Sequence, residues 1–232
     1  MKTEFFQTKQ FRLFFILIMT IVVLIIFCVS AFSYYYAYYK EVFDYRAYLN
    51  SLLQNAQSLI NSPKKNMLDP YLGNPDATIT LYLISDYQLP ASANANSVVD
   101  EVYKFYGVNN LQVVWKDYAT TDIAANKDAA AAAHCANMQG KFWEFKNALL
   151  LSKEAFNSDL YLKIARENQM DTVTFSSCYQ KNIFGELINS NYSEIANLGI
   201  GITPVIYINN QKIDENINFN TLRTIIDNQL AQ

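Results

Sequence analysis

The chain has 232 residues, of which 51% are hydrophobic and only 17% charged, and its formal net charge is −3. That length holds one domain and an appendage. The weakly acidic balance excludes the electrostatic footprint of a nucleic-acid binder, so no nucleic-acid partner is expected.

The apolar excess is local. Residues 11–32 read "FRLFFILIMTIVVLIIFCVSAF" and carry no charge after Arg12. The run is long enough to cross a bilayer as a helix, and it lacks the polar face of a soluble core helix. The expected organisation is a cytoplasmic N-terminus over 1–12 and a single transmembrane helix over 13–33. Lys2, Lys9 and Arg12 outweigh Glu4 ahead of the run, which places the N-terminus inside and the rest outside. The tyrosines of "SYYYAYY" (33–39) suit the membrane interface. A cleaved signal peptide is the competing reading, because Val29-Ser30-Ala31 resembles a small-residue cleavage site. The run is long for a signal peptide, so an uncleaved anchor is preferred. Cys28 is not preceded by small residues and is not read as a lipoprotein cysteine.

Residues 34–65 are expected to form a helical stalk. Val42, Tyr45, Leu49, Leu52, Ala56 and Leu59 step alternately by three and four, a stripe with heptad character. Such a stripe fits a short, weak parallel homodimer, or a stalk resting on its own domain or on lipid headgroups. With fewer than three heptads the second reading is preferred. Ser62-Pro63 ends the helix, because proline disfavours helical geometry in the residue before it.

The globular domain is expected over 66–232, entered through the turn-rich "MLDPYLGNPDA". "TITLYLIS" (78–85) reads as a buried strand, residues 94–106 as a helix and "LQVVWKDY" (111–118) as a second strand, together a βαβ unit with parallel strands. A helical block follows, about 122–182. It opens with the Ala-rich "NKDAAAAAHCANMQ", is broken at Gly140 and resumes with "KFWEFKNALL". Then come "SDLYLKIARENQ", with a Ser-Asp capping signal, and "DTVTFSSCYQ". A further helix, "NIFGELINSNYSEIANLG", ends at Gly199. "TPVIYINNQKI" reads as a hairpin turning at Asn209-Asn210, and "NFNTLRTIIDNQLAQ" as a closing helix.

The outward part holds two cysteines, Cys135 and Cys178. In an oxidising compartment two such thiols are more often a structural disulfide than a metal site, and there is no CxxC or His-Cys cluster to hold a metal. His134, the single histidine, is expected to face solvent or to pack rather than to act as a base.

Three blocks in order carry a resemblance: "LGNPDATITLYLISDYQ", "AAHCANMQGKFWEFKNALL" and "LGIGITPVIYINNQKI". Over nearly all of residues 68–232 the chain resembles the DsbA-like thiol-disulfide oxidoreductases of the thioredoxin superfamily, in particular their membrane-anchored bacterial type. The resemblance implies an α/β thioredoxin-like fold with an inserted helical subdomain, preceded here by one transmembrane helix and a stalk. It implies a cis-proline loop at Pro204 and a structural bridge between Cys135 and Cys178. It also sets the family's Cys-x-x-Cys on Leu89-Pro90-Ala91-Ser92, where no cysteine stands. Disulfide exchange needs a thiolate. Leu89 has no ionisable group, and Ser92 forms no disulfide and has no base beside it. Ser92 is expected at most to help cap the next helix.

The expectation is therefore a bacterial membrane protein with an extracytoplasmic, non-catalytic domain that needs no cofactor and no metal. It would bind extended polypeptide segments or envelope proteins along the Pro204 loop, with Tyr87, Leu89, Thr203 and Pro204 forming the groove. The alternative is a thiol-disulfide oxidoreductase that uses Cys135 and Cys178 or assists disulfide formation. Glutathione at the helix start near Ser92 is a weaker idea, because no basic residue supports it.

Overall fold

A computed structural model describes residues 9–119, 122–213 and 216–231, with the side chains of all but 9–11 and 54–60. The expectations for Lys2, Glu4 and the rest of 1–8 lie outside the described residues. The chain divides into two compact units, Met1–Gln57 and Ser58–Gln232.

The first unit is built on one helix, α1 (Lys9–Ile60), 52 residues without a break. At 1.5 Å per residue it is about 78 Å long. Its apolar run is open on every side, with Leu24, Ile26 and Phe27 each more than 60% exposed. A helix that is apolar all round has no face for water, and this one is long and apolar enough to cross a membrane. The helix continues through the tyrosines into the stalk and stops at Ile60, just before Ser62-Pro63.

The second unit begins earlier than the expected residue 66. Ser62 and Pro63 are buried, the Ser62 hydroxyl donates to Asn210 Oδ1 at 3.0 Å, and the Lys64 amide donates to Glu194 Oε1 at 2.5 Å. The end of the expected stalk is thus part of the globular unit.

That unit is a five-stranded mixed sheet with helices around it. In chain order its elements are β1 (Tyr71–Leu72), β2 (Ile79–Ser85), α2 (Pro90–Asn110), β3 (Leu111–Asp117), α3 (Ile123–Asn137), α4 (Phe142–Leu151), α5 (Ser158–Glu167), α6 (Thr172–Gln180), α7 (Gly185–Asn197), β4 (Val205–Ile208), β5 (Gln211–Ile213) and α8 (Phe219–Leu230). The strand order is β1-β3-β2-β4-β5. β2 and β3 are parallel, from Ile79 opposite Leu111 to Ser85 opposite Asp117, and the other pairs are antiparallel. The expected βαβ unit and hairpin are both present. The hairpin is pinned to β2: the Asn209 amide donates to Thr80 O and its side-chain oxygen accepts from the Thr80 amide. Asn209 has φ 51°, which asparagine tolerates better than most residues.

The two-residue β1 was not expected inside the turn-rich entrance. It pairs with β3, and the chain turns sharply after it at Gly73, where a side chain would collide with the Leu111 carbonyl oxygen. α2 starts at Pro90, four residues before the expected start, with proline in the first turn where its missing N–H costs nothing. Its regular geometry is interrupted at Gly107, one residue beyond the expected end. α5 is capped by Asn157 rather than by Ser158: the Asn157 side chain accepts from the Asp159 and Leu160 amides.

The strands have period two. Leu111, Val113, Trp115 and Asp117 of β3 alternate with Gln112, Val114 and Lys116, and all seven are buried. Leu81, Leu83, Val113 and Trp115 join the large core with α2 to α8. Tyr82, Ile84, Val114 and Tyr207 form a smaller core with Ile195 of α7 and Ile200.

Buried ionisable side chains interrupt this apolar packing, among them Asp69, Asp86, Lys116, Asp117, His134 and Lys146. Lys116 is an ion-pair partner of Asp69 at 2.7 Å and of Glu194 at 3.0 Å. Lys146 in α4 donates to Asn96 Oδ1 and lies over the rings of Trp143 and Trp115 at 4.5 and 5.1 Å. Burial pushes its amine down to about 8, against the attraction of Asp100. Asp117 lies at the end of β3, opposite Ser85.

Candidate functional site

The turn between β2 and α2 is the place where the fold opens. β2 pairs with β4 as far as Ile84 opposite Val205. One further step along that register sets Ser85 beside Pro204. The Thr203–Pro204 peptide bond is cis. The turn into α2 and the cis-proline loop thus adjoin the sheet at the same end.

The surface of this region is uncharged and, apart from Gln88, apolar. Gln88, Pro90 and Ala91 are exposed, Leu89 and Pro204 are half-buried, and Ile202 is 78% exposed. Leu89 occupies the position before α2 and offers no side-chain cap. Ile202 was not singled out in the sequence. An isolated isoleucine in "GIGITPV" gives no periodic signal, and only its exposure beside Pro204 draws attention to it.

Beneath the surface the turn is tied down by polar groups. Ser92 is fully buried and its hydroxyl accepts from the Asp86 amide at 3.3 Å. It therefore ties the helix back to the turn and does not cap the helix as expected. Asp86 Oδ1 accepts from the Gln88 amide and from Asn126 Nδ2, and Tyr192 donates to Asn126 Oδ1 at 2.7 Å. Burial holds the Asp86 carboxyl above the ordinary carboxylate range; its two hydrogen bonds oppose that rise and Asp122 adds to it. Ser85 Oγ, Asp86 Oδ2 and Thr203 Oγ1 are buried with no hydrogen-bond partner among the described residues.

Tyr87 does not form part of a groove rim. It is 1% exposed, with its ring 5.1 Å from that of Trp115 and its hydroxyl donating to Asp117 Oδ1 at 2.6 Å. The reason is register: β2 brings the end of its strand opposite Asp117, and a buried carboxylate draws every donor within reach. Trp115 Nε1 donates to the same oxygen at 2.7 Å, and His134 Nε2 lies 2.7 Å from Oδ2. Burial works to raise the Asp117 carboxyl. Electrostatic attraction to His134 and the hydrogen bonds with His134, Tyr87 and Trp115 outweigh it, so the carboxyl titrates below its ordinary value. Burial and the Asp117 charge push the Tyr87 hydroxyl well above its ordinary value. His134 is packed rather than solvent-facing, stacked on Phe184 at 5.3 Å. Thr203 is 3% exposed, so its side chain is withdrawn as well.

Sulfur is found elsewhere. Cys135 of α3 and Cys178 of α6 form a disulfide with Cα atoms 5.8 Å apart, closing 43 residues of sequence. Both are buried, at 2% and 3% exposure. The bridge clamps the helical block around α4 and α5. Among the described residues no three His, Cys, Asp or Glu side chains converge on a metal site.

Comparison with known proteins places this architecture. The family model described as "Thioredoxin" matches residues 65–228. A thioredoxin-like oxidoreductase from Silicibacter pomeroyi DSS-3 superposes with a TM-score of 0.64 at 24% identity, over 75% of this chain and 97% of that one. Oxidised BdbD from Bacillus subtilis gives 0.65 at 18% identity, over 74% and 97%. The thiol-disulfide exchange protein alpha-DsbA2 from Wolbachia pipientis gives 0.64 at 20%, over 70% and 88%. Among curated proteins, the Na(+)/H(+) antiporter NhaA 1 of Mycolicibacterium gilvum is 32% identical over 95 residues, which is 40% of this chain. The chain spans only 15% of the length of that relative. By its family match and its shared fold with DsbA-type structures, the chain belongs to the thioredoxin family.

Proposed function

We propose that this protein is a membrane-tethered, extracytoplasmic member of the thioredoxin family that binds extended apolar polypeptide segments and does not exchange disulfides. The observation that carries the reading is the composition of the turn at the start of α2. Leu89-Pro90-Ala91-Ser92 holds no thiol, yet the turn leaves the sheet at the end where the Thr203–Pro204 loop enters β4, and both carry outward apolar residues, the half-buried Leu89 and the exposed Ile202. Exchange begins with attack by a thiolate, and these positions supply none. The backbone before Pro204 lies beyond the last rung of the β2–β4 ladder, and in this reading an added strand pairs there while Leu89, Ile202 and Pro204 offer apolar contacts to alternate side chains. α1 supplies the tether. Positive residues ahead of its apolar run favour a cytoplasmic N-terminus and an outward domain.

The partner class is therefore an unfolded or extended segment of an envelope protein, held by backbone pairing and apolar contact. The test is fluorescence anisotropy of labelled apolar peptides with the full chain in nanodiscs, alongside insulin reduction. The expected result is peptide binding that weakens about tenfold, or 1.4 kcal/mol, with Leu89→Glu or Ile202→Glu, and no insulin turnover. Absence of binding, or turnover by the unmodified chain, refutes the reading. Turnover abolished by Cys135→Ser would instead assign the chemistry to Cys135 and Cys178.

A further inference from the structure

We infer that the stalk part of α1 pairs in parallel with the same segment of a second copy of this chain. This inference rests on the reading of α1 as a membrane anchor, but not on peptide binding.

Three observations carry it. First, the helix runs unbroken from the apolar run into the stalk, so one register applies throughout. Second, within the helix the stripe is apolar, with Val42 half-buried and its other described members exposed, and the opposite face is polar. With Val42 and Leu49 at heptad position a and Tyr45 and Leu52 at d, Tyr45 is 63% exposed, Leu49 39% and Leu52 44%. Lys40, Asp44, Asn50 and Ser51 fall on the outer positions, where Phe43 is the one large apolar residue. Ala56 and Leu59 continue the spacing in sequence, but their side chains lie outside the described ones.

The third observation is charge. In this register Glu41 occupies position g and Arg46 the following e. Position g of one helix meets the next e of its partner only when the two helices are parallel and in register. Both side chains are exposed, and neither forms an ion pair among the described residues. A second copy would satisfy both twice over, Glu41 to the partner's Arg46 and the reverse. A lipid surface has no such order of charges. The membrane supplies the rest: two copies anchored by the same run are parallel and at the same depth before they meet, which lowers the cost of association.

The same register, carried back two heptads from Val42, reaches Cys28, the exposed free cysteine. It stands at position a, facing its counterpart across the seam, and serves as a native probe. The full chain in carbonate-washed membranes is oxidised with copper phenanthroline and oxygen and run on non-reducing gels. A disulfide-linked dimer is expected, and Cys28→Ala abolishes it. In the Cys28→Ala background, Leu49→Cys and Leu52→Cys are expected to cross-link about fivefold or more above the outer Ala47→Cys and Ser51→Cys. Glu41→Lys or Arg46→Glu lowers the Leu49→Cys yield by roughly a factor of two or more, and the double exchange restores it. Equal yields at seam and outer positions, or no cross-link at any of them, overturn the pairing while leaving the anchor in place. Release of the chain by carbonate overturns the anchor, and with it the parallel alignment.

Discussion

The turn at the start of α2 and the bridge between α3 and α6 divide what a thiol-disulfide enzyme keeps together. The turn has the setting: the start of a helix, a cis-proline loop at the same end of the sheet, and outward apolar residues. It has no sulfur. The bridge has the sulfur, but both cysteines are at most 3% exposed and the pair clamps a packed helical block. Reactivity of a cysteine depends on a stabilised thiolate and on access together. Neither region meets both conditions, and the protein is read as a binder because of that separation.

The sharpest way to break the comparison is to remove what holds the turn. Asp117→Ala leaves the Tyr87 hydroxyl, the Trp115 indole and the His134 ring without their shared acceptor. We expect a loss of about 3–5 kcal/mol in denaturant unfolding, together with weakened peptide binding, because Tyr87 anchors the turn. Next in size is removal of the bridge. Cys135→Ser with Cys178→Ser should cost about 2–4 kcal/mol and leave peptide binding unchanged below the melting temperature. Weakened binding with intact folding would mean that the bridge belongs to the site.

The smallest effect is a pH dependence. The Asp86 carboxyl is held above its unfolded value, so its protonated form is favoured by folding. Its contribution to stability is present below the unfolded value, near 4, and is lost as pH rises through the folded value. Asp86→Asn keeps an oxygen for the Gln88 amide and for Asn126 and removes the buried charge. A slight rise in melting temperature at pH 7, shrinking to nothing near pH 4, is the expected result. A fall at pH 7 would show that the charge itself is needed by the turn.

The sequence conveyed most of the frame. Apolar runs marked β2 and β3, Gly140 separated α3 from α4, and Asn209 marked the hairpin, because each signal is local. β1 escaped notice because two residues in a turn-rich entrance show no period; its pairing with β3 is a long-range fact. The site was legible in outline and misread in detail. Tyr87 read as a rim residue, and no local pattern reveals that its hydroxyl meets Asp117 thirty residues later. Nothing local in Lys116-Asp117 announces that both are buried, yet each sits on partners that the topology delivers: Asp69 and Glu194 to one, His134 to the other. Cys135 and Cys178 paired as the family resemblance implied.

The separation of setting from sulfur is tested most directly by a redox titration of the full chain in nanodiscs, with thiol labelling read by mass spectrometry. The account predicts that Cys135 and Cys178 stay joined and unlabelled across mild redox buffers and open only when the domain unfolds. Reversible opening in the folded protein, at potentials of roughly −120 to −230 mV where known dithiol catalysts work, would contradict it and return the protein to the oxidoreductases.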